Sequence, residues 1–297
     1  VSLAEHVRTL GRGPGRSRSL TREEATDAMR QMLSGEAAPE AVGAILMLLR
    51  MKGETAPEIA GFAEAAQAGI APVGGVDLDW PSYAAGRTRG APLFLHAARR
   101  IADDGHRVLL HGWNGADRKV RDGLPDAGIG MAATATEAEA LLARDGIAYM
   151  TLETAHPALF ALLNLRDTFG LRSCVNTVCR MLNPGRARAS VQGVFHPSYR
   201  LLQADAAALL GWDQLSVIKG GGGEFERNPA KVIAGFGLRN GAPWEGSYPA
   251  LSDETRRLSE SGDADFDRLV VEATAELARD TLRGVVRSAP EDAVEAL

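Results

Sequence analysis

The residues most able to do chemistry fall at the ends of short apolar runs. Lys219-Gly220-Gly221-Gly222-Gly223-Glu224 directly follows the run LSVIK, which reads as a strand. Four successive glycines strip the loop of side chains, so backbone N–H groups could approach a phosphate while Lys219 neutralises it. The same run also suits a loop that only needs positive φ angles and binds nothing. His111-Gly112-Trp113-Asn114 follows another predicted strand. Trp113 could stack on a base while His111 or Asn114 supplies a hydrogen bond; alternatively Trp113 closes the core and His111 satisfies a buried carbonyl. Asp77 and Asp79 flank Leu78 and fall on one face of a strand, ahead of Trp80-Pro81-Ser82-Tyr83. A carboxylate pair can hold a metal, though alternation of this kind is common in strands.

Arginine supplies the other chemistry. Between 161 and 200 lie Arg166, Arg172, Arg180, Arg186, Arg188 and Arg200 against the single acid Asp167, a local balance of +5. The stretch 251–297 carries a balance of −6, and the first twenty residues one of +3, so the net charge of −5 conceals a basic middle and an acidic tail. Only four of the 33 basic residues are lysine, and the planar guanidinium suits phosphate and carboxylate. A GC-rich coding bias accounts equally well for the arginine excess, but not for its clustering. Cys174 and Cys179 are the only cysteines, too few for a disulfide framework or a zinc cluster, and read as packing residues.

The elements that must position these groups follow from periodicity. The first seventy residues read as helices: Thr21 with Glu24 and Thr55 with Glu58 form capping-box patterns, and Pro39 opens an apolar helix, EAVGAILMLLRM, expected to be buried between neighbours or against a second subunit. After Gly74-Gly75 short apolar runs at 76–79, 107–111, 147–151, 190–195 and 215–219 alternate with helical stretches, one opened by a third box at Thr136 and Glu139, and 265–286 reads as a long amphipathic helix. This alternation predicts an α/β fold with a mostly parallel sheet covered by helices. A length of 297 residues gives a prior of two domains, and 45% hydrophobic with 24% charged residues is ordinary globular composition. No run of 18 apolar residues is present and the opening residues lack a secretory pattern, so no membrane partner and a cytoplasmic location are expected.

The stretches HPALFALLNLRDTFGLRS, LNPGRARA and QGVFHPSY occur in the order found in anthranilate phosphoribosyltransferase and the related nucleoside-phosphorylase-like glycosyltransferases, and Leu20–Glu36 resembles that family's N-terminal helical domain. The resemblance implies a small discontinuous helical domain at 1–72, completed near 160–188, that makes a homodimer, and an α/β domain at 73–297. Phosphoribosyl pyrophosphate, magnesium and anthranilate would be held between them. His156, Arg166, and Glu224 or Glu226 match that site. Other positions depart. The family's G-T-G-G-D loop is replaced by Asp79-Trp80-Pro81-Ser82-Tyr83-Ala84, where Trp, Pro and Tyr should block close approach of pyrophosphate. The K-H-G-N-R stretch becomes Leu110-His111-Gly112-Trp113-Asn114, and Lys219 with its glycines stands where a magnesium loop is expected.

With WPSYAAGR and KGGGGE, these departures resemble the TrpD2 branch, the YbiB-type proteins. That resemblance implies a non-catalytic, sequence-independent nucleic-acid-binding protein, with DNA as partner and no cofactor. Arg166, Arg172, Arg180, Arg186, Arg188, Lys219 and the N–H groups of Gly220, Gly221, Gly222 and Gly223 would then contact phosphates. Tyr83, His111, Trp113, Asn114 and His156 would stack or line the cleft. The alternative is a working phosphoribosyltransferase with magnesium, in which Asp77, Asp79 and Glu224 would have to replace the missing metal loop.

Overall fold

The structure is a computed structural model that describes residues 2–84, 90–253, 258 and 263–288. It resolves into two compact units, Val1–Ala71 with Leu152–Leu182, and Pro72–Thr151 with Asn183–Leu297. In chain order the first unit opens with α1 (Leu3–Gly11), α2 (Arg22–Ser34), α3 (Pro39–Lys52) and α4 (Ala56–Ala68). The second contributes β1 (Leu78–Ser82), α5 (Phe94–Asp103), β2 (Val108–Gly112), α6 (Lys119–Gly123), β3 (Gly130–Ala132), α7 (Ala135–Asp145) and β4 (Ile147–Thr151). The chain returns to the first unit as α8 (Leu152–Ala155), α9 (Pro157–Phe169) and α10 (Val175–Arg180). It closes the second with β5 (Ala189–Val194), α11 (Tyr199–Leu209), β6 (Gln214–Lys219), β7 (Ile233–Arg239), β8 (Ala242–Tyr248) and α12 (Ala264–Arg283).

The helical unit forms where the caps predict. Thr21 Oγ1 accepts from the Glu24 N–H and the Glu24 carboxylate returns to the Thr21 N–H at 2.9 Å. Glu58, fully buried, accepts from the Thr55 N–H at 2.8 Å, the Leu20 N–H at 2.8 Å and Lys52 Nζ at 2.9 Å, so one carboxylate ties three segments together. The apolar helix α3 buries one face, Val42, Ile45, Leu46 and Leu49, but Met51 is 84% exposed. It is therefore not enclosed within its own unit. The third capping box is displaced by two residues. Thr134 caps α7 by accepting from the Glu137 N–H at 3.2 Å, while Glu137 accepts from the Ala133 N–H at 2.8 Å. Glu139 instead accepts from the Gly74 N–H at 2.7 Å.

In the second unit the eight strands run β3-β4-β2-β1-β5-β6-β7-β8. The first six are parallel, and β7 and β8 add an antiparallel hairpin. β2 and β4 lie on one side of β1 and β5 on the other, so the β1/β5 junction is the topological switch point, where open α/β sheets bind ligands beyond the strands' carboxyl ends. Pairing of β1 with β2 continues from Leu78 through Ser82, whereas pairing with β5 ends at Asp79↔Ser190. Pro81 has no N–H to extend a ladder, and the two strands part there. Below this crevice Trp80 packs in the core against Phe94 and Phe225, with ring centroids 6.4 and 5.3 Å away.

Candidate functional site

Two buried polar systems meet at the carboxyl ends of β1 and β2. In the first, the Tyr83 hydroxyl lies 2.8 Å from His111 Nδ1, His111 Nε2 lies 3.1 Å from Asp79 Oδ1, and Ser190 Oγ donates to Asp79 Oδ2 at 2.8 Å. All four side chains are buried. Burial raises the Asp79 carboxyl above its ordinary range, while the imidazole and the Ser190 hydroxyl pull it back. The chain joins β1, β2 and β5 just beneath the crevice.

The second system is centred on Glu224. Its Oε1 accepts from Ser82 Oγ at 3.0 Å, from the Ala84 N–H at 3.1 Å and from Asn114 Nδ2 at 3.1 Å. Asn114 Nδ2 also reaches Ser82 Oγ at 3.2 Å and the Ala84 carbonyl at 3.0 Å, while its buried Oδ1 has no hydrogen-bond partner. Two residues on, buried Glu226 accepts from the Phe94 N–H, at the start of α5, at 2.9 Å. Negative charge at a helix's first turn is favourable. Thus both glutamates after the glycine run turn inward onto hydrogen-bond donors.

The glycines serve this approach. A Cβ on Gly193 would lie 2.1 Å from the Glu224 carbonyl carbon, and one on Gly220 would lie 1.6 Å from the Glu224 carbonyl oxygen. Gly221–Gly223 form a single 3-10 turn. The N–H of Gly220 donates to Val194 O, that of Gly221 to Glu226 O and that of Gly223 to Gly220 O, at 3.1–3.2 Å. These three N–H groups are thus committed within the chain, which corrects the expectation that they cradle phosphate. Gly222 and Lys219 are exposed at the strand's end.

The other expected residues separate between the two units. Arg166, Arg172, Arg180 and His156 belong to the helical unit; Arg186, Arg188 and Lys219 to the α/β unit. Arg188 is paired with Asp213, and buried Arg180 folds back onto Asn176 Oδ1, so neither offers the open phosphate contact expected of it. Exposed Arg186 adopts a left-handed φ of 46°. Arg172 is half-buried, and its pKa is lowered by burial and by the neighbouring charges of Arg166 and Arg50. Arg50 also donates to the Arg172 carbonyl at 2.6 Å. These three guanidinium groups concentrate positive charge in one place. His156 caps α9, its Nδ1 accepting from the Leu159 N–H at 3.3 Å while Nε2 lies 3.1 Å from Ala66 O, and burial lowers its pKa.

The aromatic expectations change too. Half-buried Trp113 has the Arg121 guanidinium 4.8 Å above its ring, so a face proposed for bases is covered. Tyr83 is buried with its hydroxyl on His111, and Trp80 lies in the core, so neither blocks the crevice as the sequence suggests. Asp77 accepts from the Arg107 N–H at 2.8 Å while Asp79 is engaged with His111 and Ser190; the two carboxylates do not act as a metal pair. Among the described residues no group of three or more His, Cys, Asp or Glu could hold a metal ion. Buried Cys174 and Cys179 have thiols pushed up by burial, as suits packing residues. Ala85, Gly86 and Arg87 of the WPSYAAGR motif lie outside the described residues, as do 254–257, 259–262 and 289–297 of the acidic tail. Sequence reasoning missed Ser82 and Ser190. Their signal was a polar residue facing a carboxylate inside an otherwise apolar strand.

A mostly parallel sheet with a polar crevice at its switch point, in a chain that also holds a helical unit, defines the class as an α/β protein with a ligand-binding type of sheet edge. The model of the "Glycosyl transferase family, helical bundle domain" matches residues 4–68. Anthranilate phosphoribosyltransferase of Sphingopyxis alaskensis is 30% identical over 271 residues, covering 87% of this chain and 80% of that protein. The one from Roseiflexus castenholzii is 33% identical over 220 residues, 70% of this chain and 62% of that protein. Among solved structures, anthranilate phosphoribosyltransferase from Thermus thermophilus superposes with a TM-score of 0.69 at 23% identity, covering 96% of this chain and 85% of that one. The Saccharomyces cerevisiae enzyme in complex with PRPP and Mg gives 0.70 at 18%, covering 90% and 79%. The chain belongs to the glycosyltransferase family 3 superfamily that contains anthranilate phosphoribosyltransferase. It spans 62% of the length of the Roseiflexus relatives.

These relatives overturn the expected non-catalytic nucleic-acid-binding role, since the proteins it resembles carry the name of a phosphoribosyltransferase. They lend no support to placement in the TrpD2 branch or to a DNA partner. The expectation of no cofactor is likewise unsupported, because a neighbouring solved structure holds magnesium. No helix among the described residues is long and apolar enough to cross a membrane.

Proposed function

We propose that this protein is a phosphoribosyltransferase that moves the phosphoribosyl group of phosphoribosyl pyrophosphate onto an aromatic amine bearing a carboxylate, of which anthranilate is the type. In that reaction the amine nitrogen forms a bond to ribose C1, the bond from C1 to the pyrophosphate oxygen breaks, and the nitrogen releases a proton as pyrophosphate departs. The observation that carries the reading is the 30% identity over most of both chains with a protein of that name. The α/β unit would receive the donor at its switch-point crevice through Ser82, Ala84 and Asn114. In the helical unit, the charge concentrated at Arg50, Arg166 and Arg172 suits the acceptor's carboxylate.

Among the described residues, the acidic groups at the crevice do not fit a resident magnesium ion. Oε1 of Glu224 lies among three hydrogen-bond donors, which repel a cation, and Oε2 of Glu226 faces an amide. Magnesium is therefore proposed as part of the substrate, accompanying the diphosphate, and supplies charge neutralisation there. A homodimer formed through α3 belongs to the same reading, and sedimentation as a monomer at micromolar concentration would remove that part. The test of the function is a single-turnover assay with phosphoribosyl pyrophosphate, magnesium and anthranilate or a related aminobenzoate. Product and stoichiometric pyrophosphate are expected; no product with any aminobenzoate defeats the reading.

A further inference from the structure

We infer that the segment after α12, residues 284–288, is a strap that positions the loop carrying Glu224 and Glu226, acting on that loop through Glu276 and Arg227. This role is independent of phosphoribosyl transfer, and every contact in it lies within the α/β unit. Gly284 ends α12 in a left-handed conformation, φ 66°, and the chain doubles back across the β7–β8 hairpin. There the Val285 carbonyl accepts from Arg239 Nε at 2.8 Å, and the Arg287 carbonyl from Trp244 Nε1 at 3.1 Å. Arg239 is buried, with its guanidinium 3.9 Å from the centre of the Trp244 ring. Its other donors end on the Leu215 and Leu238 carbonyls and on Ser216 Oγ. A buried cation held by neutral acceptors loses much when one of them is taken away. A Cβ on Gly246 would fall 2.2 Å from the Arg287 carbonyl oxygen, so β8 makes room for the strap. Val286, between the two anchored residues, is 66% exposed, which leaves the strap within reach of solvent.

Arg287 carries the effect inward. Its Nε donates to Asp280 Oδ2 at 2.5 Å and its Nη2 to Glu276 Oε1 at 2.8 Å, while the other oxygen of Glu276 accepts from Arg227 Nη1 at 3.0 Å. Arg227 is fully buried and its Nε has no hydrogen-bond partner. Its charge therefore leans on Glu276, on the Pro249 carbonyl 2.7 Å from Nη2 and on the Tyr248 ring, which Arg287 also faces. Burial lowers the Arg227 pKa, Glu276 raises it and Arg287 lowers it, as expected of two cations that share one carboxylate. Arg227 directly follows Glu226, which holds the Phe94 N–H through its carboxylate and the Gly221 N–H through its carbonyl. The Arg227 N–H itself donates to Thr274 Oγ1 on α12 at 2.9 Å. The loop is thus fixed at its far end by α12, and the strap sets how Glu276 meets Arg227. Without Arg287, the Glu276 side chain, 41% exposed, is free to turn toward water, and a buried guanidinium is left short of its counter-ion.

The test is amide hydrogen exchange followed residue by residue by NMR, with the Trp244 indole N–H read in the same spectra. In Arg287→Ala the indole signal should shift. The amides of Gly221, Glu226 and Arg227, which donate within the loop or to α12, should exchange about tenfold faster, the worth of one charge-assisted hydrogen bond. Glu276→Gln should speed the same amides, and adding Arg287→Ala to it should speed them no further. Arg279→Ala breaks the ion pair of the same helix with Asp104 and should leave the loop at wild-type rates. Should Arg287→Ala fail to fold, Arg287→Lys takes its place, since one ammonium cannot serve both carboxylates as the guanidinium does, and the same non-additivity with Glu276→Gln is expected. The strap is refuted by loop amides that keep wild-type rates when Arg287 is replaced, by additive effects of the two substitutions, or by equal acceleration in Arg279→Ala, which marks a general loss of stability. Exchange is read without substrate, so a failed transferase assay leaves the result intact.

Discussion

Replacing Asn114 by Asp probes the charge at the crevice directly. Asn114 Nδ2 donates to Glu224 Oε1 at 3.1 Å and to the Ala84 carbonyl at 3.0 Å, both buried. Asn114→Ala removes one charge-assisted and one neutral bond, together about 3 kcal/mol, with little dependence on pH. Asn114→Asp loses the same donors and sets a second carboxylate beside the first. At an effective dielectric of about 20, two unit charges about 3 Å apart repel by about 5 kcal/mol. One of the pair therefore protonates instead. Taking an aspartate from its usual value of about 3.9 to neutrality at pH 7 requires about 4 kcal/mol. The shared proton raises the folded-state pKa above the unfolded one, so stability is present at acid pH and lost as pH rises, by about 1.4 kcal/mol per unit. Urea denaturation at pH 5 and pH 7 should show Asn114→Asp recovering by about 3 kcal/mol toward acid relative to Asn114→Ala. Parallel pH profiles for the two variants would refute the placement of Asn114 against the Glu224 carboxyl group.

Gly193→Ala should be destabilising by about 3 kcal/mol or more, since its Cβ would meet the Glu224 and Phe225 backbone at 2.1–2.4 Å and no side chain there can yield; thermal denaturation checks this. His156→Ala should lower stability by about 1–2 kcal/mol at neutral pH through loss of the α9 cap. Because burial depresses the imidazole below its ordinary 6.5, the wild-type contribution is present above that value and lost as pH falls through the folded one. The gap between the two proteins should therefore narrow in melts at pH 5. Arg166→Ala should raise the KM for an aminobenzoate about tenfold in the transferase assay, with a smaller change for the uncharged aniline; equal effects on both acceptors would remove Arg166 from carboxylate recognition.

Much of the fold was legible because local signals were strong. The Thr21–Glu24 box, the glycine stops and the buried strands at 147–151 and 215–219 coincide with observed elements. The β7–β8 hairpin was also readable, since Asn240-Gly241 sits at its turn with φ of 51° and 75°, the backbone such turns require. It escaped notice because alternation is weak in IAGFGLR and APWEGSY. β3 has three residues and no periodicity to detect. At the site, type and spacing located the loops but not the direction of their donors. Nothing in Lys219–Glu224 alone distinguishes N–H groups turned toward a ligand from N–H groups turned toward Val194, Glu226 and Gly220. That choice depends on strands far away in sequence, as the Asn114–Ser82 and Glu224–Ala84 contacts, 32 and 140 residues apart, illustrate.

Family membership and the unusual loops need not pull in opposite directions. Exchanging a glycine-rich loop for Trp80-Pro81-Ser82 removes backbone donors but leaves the Ala84 N–H and adds the Ser82 hydroxyl, with Asn114 alongside. Buried donors without an acceptor cost about 1–3 kcal/mol each; Asn114 Nδ2 also has the Ala84 carbonyl, so the Ser82 hydroxyl and the Ala84 N–H are the donors that most need an acceptor. Glu224 supplies it from within the chain, and the glycines before it permit the close backbone approach that lets the carboxylate reach. On this argument the glycine run and the crevice are one device. The run does not itself grip phosphate; it lets the Glu224 backbone pass against Gly193 and Gly220 so that the carboxylate reaches the donors beyond β1 and β2.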